Sequence, residues 1–146
     1  MWTEAIRRWT DRPQDVRAWT LGKLPREVWT YLSTAGEPYV ALGTPGLFCL
    51  HSADELPEAP GPHTHLVHAQ SRQVSDLLLH ATGERHWPTS VGVLPDDLID
   101  EPRVRFGVHY VTGDQLLRWL LSQPAEIDPA TRDRWALALR SGRRSA

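Results

Sequence analysis

Cysteine and lysine are nearly missing from this sequence: each occurs once, as Cys49 and Lys23. A lone cysteine excludes an intrachain disulfide, and its place in an apolar run marks it as a small buried hydrophobe. A reducing, cytoplasmic setting is the matching expectation. Because fifteen of the sixteen basic residues are arginine, any mechanism that needs a lysine other than Lys23 is excluded. No uncharged stretch approaches the roughly 18 residues of a membrane span, and residues 1–8 carry no apolar leader core. No membrane partner is therefore expected. Charge of one sign is lacking too: a net charge of −2 and a pI near 6.4 give no global preference for nucleic acid. Glycine-rich phosphate loops and nucleophile elbows are absent.

What remains is a chain of 146 residues, 40% apolar and 23% charged, which fits one globular domain over 1–146. Its organising stretch is 37–51. Two apolar runs, 39–42 and 47–50, flank Gly43-Thr44-Pro45-Gly46, which has the chemistry of a tight turn. Both runs are almost continuously hydrophobic, so this hairpin is expected to be central to its sheet and covered on both faces.

Upstream, Trp2, Ala5, Ile6 and Trp9 recur at helical spacing and predict a short N-terminal helix extension over 1–10. Asp11-Arg12-Pro13 predicts the start of a second helix that runs to Lys23 and ends before Pro25. Residues 27–32 are rich in aromatic and β-branched side chains and predict the first strand. Downstream, 52–62 holds three prolines and three acids and predicts an exposed loop. Val67, Val74, Leu77, Leu78 and Ala81 predict a helix over 66–81, with Gly83 as its terminating residue.

Residues 89–94 predict a fourth strand. In 103–110, Val104, Phe106, Val108 and Tyr110 alternate with Arg103, Arg105 and His109, which predicts a fifth strand with one buried and one wet face. Thr112 and Gln115 have capping-box spacing ahead of Leu116, Leu117, Trp119 and Leu120. Asp128-Pro129 opens a last helix to about Arg140, with Gly142 beyond it and a frayed tail over 141–146. Most of the seven tryptophans, Trp19, Trp119 and Trp135 among them, fall at apolar helix positions and are assigned to the core. The expected fold is α/β: a mixed sheet of about five strands with helices on its faces.

Leu24-Pro25-Arg26-Glu27-Val28-Trp29-Thr30-Tyr31-Leu32, followed by 39–52, resembles the nuclease-related (NERD) domain of actinobacterial type. That family has I-D-H-φ-φ-φ-G-P and then G-V-F-φ-φ-(D/E/N)-x-K, with φ apolar. The segment from His68 to Leu79, and the pattern from Val104 through Leu139, resemble the rest of the family over about 14–140. The resemblance implies a restriction-endonuclease-like core and, in the family, two carboxylates that hold Mg²⁺ beside a lysine. Laid on this sequence, the metal-binding Asp falls at Pro38, the second acid at His51 and the lysine at Ala53. The helical Glu falls near Gln14 or Asp15. The motif is thus degenerate, and no cofactor is expected unless Glu37, Asp54 and Asp15 have taken over Mg²⁺ binding.

Other constellations have plainer readings. His63-x-His65-x-x-His68 would put His63 and His65 on one face if extended, with His51 as a further candidate zinc ligand, but solvated loop histidines fit as well. Arg103, Arg105 and His109, on one face of the fifth strand, are the candidate phosphate contacts. Asp96, Asp97, Asp100 and Glu101 lack calcium-loop spacing and read as a solvated turn.

Three functions follow. The first is a catalytically degenerate NERD-like accessory module that binds DNA, RNA or a protein. The second is an active Mg²⁺-dependent nuclease with relocated acids. The third is a protein-interaction or inhibitory module that uses exposed Trp and the Pro-rich loop.

Overall fold

A computed structural model describes residues 15–145. The expected N-terminal helix and the Asp11-Arg12-Pro13 signal lie outside these residues. Helix α1 spans Val16–Lys23, and its cap is Asp15, whose carboxylate accepts from Arg17 N at 2.9 Å. Strands β1 (Trp29–Ser33), β2 (Tyr39–Gly43) and β3 (Gly46–Ser52) form an antiparallel meander. Gly43 pairs with Gly46 across the two-residue turn Thr44-Pro45, as the turn chemistry demands.

Helix α2 (Pro62–Thr82) then crosses the sheet and returns the chain to β4 (Thr89–Leu94), parallel to β3. It begins four residues before the expected start because Pro62 serves as a first-turn proline, and it ends at Gly83, whose φ is 78°. The histidine segment is therefore helical, not extended.

The expected fifth strand is two strands, β5 (Arg103–Arg105) and β6 (Val108–Thr112), folded back at Phe106-Gly107. Both turn residues have positive φ, 52° and 78°. Among the described residues the sheet has six strands in the order β1-β2-β3-β4-β6-β5, with β6 parallel to β4.

Helix α3 (Gly113–Leu121) carries the expected capping bond, Thr112 N to Gln115 Oε1 at 3.0 Å. Asp96 adds a second cap by accepting from Asp114 N at 2.9 Å, a structural job for one acid of the run expected to be only solvated. Helix α4 starts at the expected Asp128-Pro129 signal, where Asp128 accepts from Thr131 N at 2.7 Å. It continues to Ser145 rather than stopping near Arg140, passing through Gly142.

Strand alternation sorts the core into two layers. Ala41, Phe48, Leu50, Val91 and Val111 pack with Leu21, Leu116 and Leu120, so α1 and α3 cover one face. Val40, Leu42, Leu47 and Cys49 pack with Val74, Leu78, Trp135 and Leu139, so α2 and α4 cover the other. The central hairpin is buried on both sides, as its continuous hydrophobicity predicts. Trp29 and Trp135 are core, whereas Trp19 is 44% exposed and lies under the Lys23 ammonium, so its assignment to the core is corrected.

Candidate functional site

The ends of β2 and β3 carry two separate arrangements, one on each face of the sheet. On the α1 face, Arg17 is 3% exposed despite its charge. Its guanidinium donates to Asp15 (2.6 Å from Nη2), to Glu37 (2.8 and 2.7 Å) and to the backbone oxygen of Leu50 (2.9 Å). It stacks 3.9 Å from the centroid of the Tyr39 ring. Every edge of the fork is engaged, which is what allows a charge to be buried here.

The electrostatics follow from that packing. Burial alone would raise Asp15, but the hydrogen bonds and charge of Arg17 outweigh it and hold the carboxyl below the usual range. Burial alone would lower the Arg17 pKa, and Glu37 and Asp15 reverse that. Burial and the neighbouring Asp15 carboxylate push the Tyr39 hydroxyl up.

The α2 face is organised by His51, 2% exposed. Its Nδ1 is 2.9 Å from Gln70 Oε1, and its Nε2 is 3.2 Å from Ser71 Oγ, which lies 2.6 Å from Ser90 Oγ. A neutral ring with the proton on Nδ1 satisfies the chain: it donates to Gln70 and accepts from Ser71, and Ser90 donates to Ser71. Burial, the largest influence, pushes the His51 pKa down to about 4, so the ring is neutral at physiological pH.

Ala53 packs with Val67 and Leu94 on this same face, and Pro38 lines a groove with Val74 and Leu77. The positions Pro38, His51 and Ala53 therefore share a side, as a metal-and-lysine motif requires. Here they meet apolar and neutral polar groups of α2.

The alternative acids do not rebuild a metal centre. Asp15 and Asp54 line a cavity of about 230 Å³ with Arg17, Ser52, Ala53 and Pro95, whereas Glu37 lines the larger groove that Pro38 shares. Asp15 and Glu37 both bond Arg17, so the space between them already holds a fixed cation. Among the described residues no three His, Cys, Asp or Glu converge as a metal site. Mg²⁺ does not fit this donor set.

The zinc alternative is also corrected. His63 and His65 are two apart on a helix and point in nearly opposite directions, with His63 half-buried and His65 exposed. His51 is committed to Gln70 and Ser71. His68 donates to Phe106 O at 2.8 Å.

No family model, curated protein or solved structure matches the chain.

The basic constellation is split by the turn at Phe106-Gly107. Val104 pairs with His109, and Arg105 with Val108, so Arg103 and Arg105 share a face with Val108 and Tyr110 while His109 lies on the other. His109 instead contacts the Trp119 ring, 5.6 Å between centroids, and burial lowers its pKa. Val104 and Phe106, expected on a buried face, are 58% and 38% exposed.

Arg17, Tyr39, Gln70, Ser71 and Ser90 were not singled out by sequence patterns. An arginine in the first turn of a helix whose cap is acidic was the one available signal, since an early-turn cation opposes the helix dipole and needs another reason to be there.

Proposed function

We propose that the chain is a catalytically silent NERD-like domain that acts as a binding module rather than a phosphodiesterase. The observation that carries this reading is the Arg17 guanidinium fixed between Asp15 and Glu37, the acids that a nuclease with relocated ligands would offer to Mg²⁺. Two further features support it. A neutral, buried His51 stands where the resemblance puts a second carboxylate, and Ala53 stands where it puts the lysine. An α-β-β-β-α-β succession, with a meander followed by a parallel crossover strand, is compatible with a restriction-endonuclease-like core.

A protein ligand is favoured over nucleic acid. With His109 turned to the opposite face, the candidate phosphate contacts reduce to Arg103 and Arg105 on a short edge strand, beside exposed Val104 and Phe106. Two arginines are a small electrostatic footprint, whereas adjacent exposed apolar side chains suit a protein surface.

The deciding experiment is incubation of the protein with supercoiled plasmid and RNA in Mg²⁺ or Mn²⁺, beside Glu37→Ala and Asp54→Ala. No cleavage above background is expected from any of the three. Metal-dependent cutting that Glu37→Ala or Asp54→Ala abolishes would establish the active nuclease instead.

A further inference from the structure

Strand β5 (Arg103–Arg105) stands last in the strand order, so among the described residues its outer edge pairs with no other strand. The hairpin that presents this edge is held in place. Phe106 and Gly107 make a two-residue turn with φ of 52° and 78°, and His68 of α2 bonds Phe106 O at 2.8 Å. A Cβ on Gly107 would lie 3.2 Å from His68 Cε1, so the turn also packs against the helix.

The register decides what the edge offers. Across a two-residue turn the flanking residues, here Arg105 and Val108, are the hydrogen-bonded pair. Pairs alternate along an antiparallel ladder, so Arg103 and Tyr110 bond again while Val104 and His109 do not. The N–H and C=O of Val104 therefore point away from β6, toward the outer edge, and Val104 is 58% exposed. On one face of this edge Val104 sits beside His109, whose ring contacts Trp119. The other face carries Arg103, exposed, and Arg105, half-buried, and neither forms an ion pair among the described residues.

We propose that the β5 edge binds an extended acidic peptide by strand addition, with an apolar residue opposite Val104 and a carboxylate on each side of it. This rests on the reading of the chain as a protein-binding module and names its ligand. The peptide residue opposite Val104 exchanges both main-chain hydrogen bonds with it, and its side chain falls on the Val104–His109 face. Its two neighbours stand opposite Arg103 and Arg105 in the closely spaced pairs, where carboxylates meet both guanidiniums. A second copy of the chain is a poor occupant, because β5 laid antiparallel on β5 about Val104 sets arginine opposite arginine twice. The charges that keep the edge from pairing with itself thus select its ligand. Asp100 and Glu101 precede the strand, so the ligand's negative charge belongs only on the residues that face β5.

The test is a ¹H–¹⁵N titration of the full chain with the capped peptide Thr-Thr-Glu-Val-Glu-Thr-Thr. Saturable shifts are expected at Val104, its strand neighbours and His109. Replacing both Glu by Lys, or methylating the nitrogen of the peptide's Val, should weaken binding about tenfold or more. The first change reverses two charge pairs, and the second removes one main-chain hydrogen bond and blocks close approach. Arg103→Glu combined with Arg105→Glu should invert the preference, so that the Lys peptide binds more tightly than the Glu peptide. The peptide series alters only the ligand and decides the matter even if that variant does not fold.

No shifts at β5 with millimolar Glu peptide would overturn the proposal, as would equal binding of the N-methylated peptide, which would show charge attraction without strand pairing. A single-stranded oligonucleotide that shifts the same residues at lower concentration would assign the edge to nucleic acid. Broadening at β5 that grows with protein concentration, without peptide, would assign it to a second copy, and either result overturns the proposal equally. Any of these without plasmid cleavage leaves the silent-module reading standing, whereas metal-dependent cleavage removes that reading whatever the titration gives.

Discussion

Arg17 and Glu37 meet fork to fork, with Nη1 and Nη2 2.8 and 2.7 Å from the two carboxylate oxygens, across 20 residues of sequence. The pair joins the first turn of α1 to the connection just before β2, and the bond from Arg17 to Leu50 O extends the clamp to β3. Removing the guanidinium strands a partly buried Asp15 carboxylate and a buried carbonyl. Arg17→Ala should therefore cost about 2–4 kcal/mol in urea unfolding, and Arg17→Lys should recover less than half of it because an ammonium cannot bridge both acids and the carbonyl. A loss under about 0.5 kcal/mol would show that Glu37, which is half exposed, leaves the clamp in solution.

The same cation predicts a response to metal. Millimolar Mn²⁺ should leave the melting temperature of the wild-type protein unchanged, while Arg17→Ala, with Asp15 and Glu37 released, should gain a few degrees on Mn²⁺ addition. Equal shifts in both proteins would mean that Mn²⁺ binds elsewhere.

His51 predicts an acid-sensitive fold. Its pKa drops from 6.5 in the unfolded chain to about 4 in the folded one, so the unfolded state binds the proton more readily. Its contribution is complete above pH 6.5 and is lost as pH falls through about 4, on the order of 3 kcal/mol over that window. Asp15, held below its ordinary value, loses its own contribution further into acid. Urea unfolding of His51→Gln at about pH 7 and pH 4.5 should show a flatter profile than wild type. Parallel profiles would remove His51 as the source.

Gly92 on β4 lies beneath Tyr110, and a Cβ there would sit 2.5 Å from the ring. Gly92→Ala should destabilise by about 2 kcal/mol or more, since both residues are buried in the sheet and the ring has nowhere to move. Gly92→Ala combined with Tyr110→Leu should lose less than the sum of the two single changes.

Any nucleic-acid binding should report the small number of aligned cations. If Arg103 and Arg105 each contact one phosphate, log K against log salt has a slope of about −2, and Arg103→Gln with Arg105→Gln abolishes binding. A slope of about −5 or steeper would reveal a basic surface elsewhere and would favour a nucleic-acid module.

Local signals in the sequence determined the regular elements. The hairpin turn at Thr44-Pro45, Gly83 at the end of α2, the Thr112–Gln115 capping bond and the Asp128-Pro129 start are each set by one to four neighbouring residues, so they were legible without the fold. The two corrections with functional weight needed more than one segment. A two-residue turn at Phe106-Gly107 reverses strand parity, which put Arg103 and Arg105 on one face and His109 on the other although all three are odd-numbered. Only tertiary packing brought Arg17 to Glu37 and Leu50, and His51 to Gln70, Ser71 and Ser90, because those contacts join residues 19 or more apart whose pairing depends on how helices lie on the sheet. Sequence fixes which side chains are available and which way a strand or helix aims them. Whether a buried charge has a partner is decided when the elements close around it.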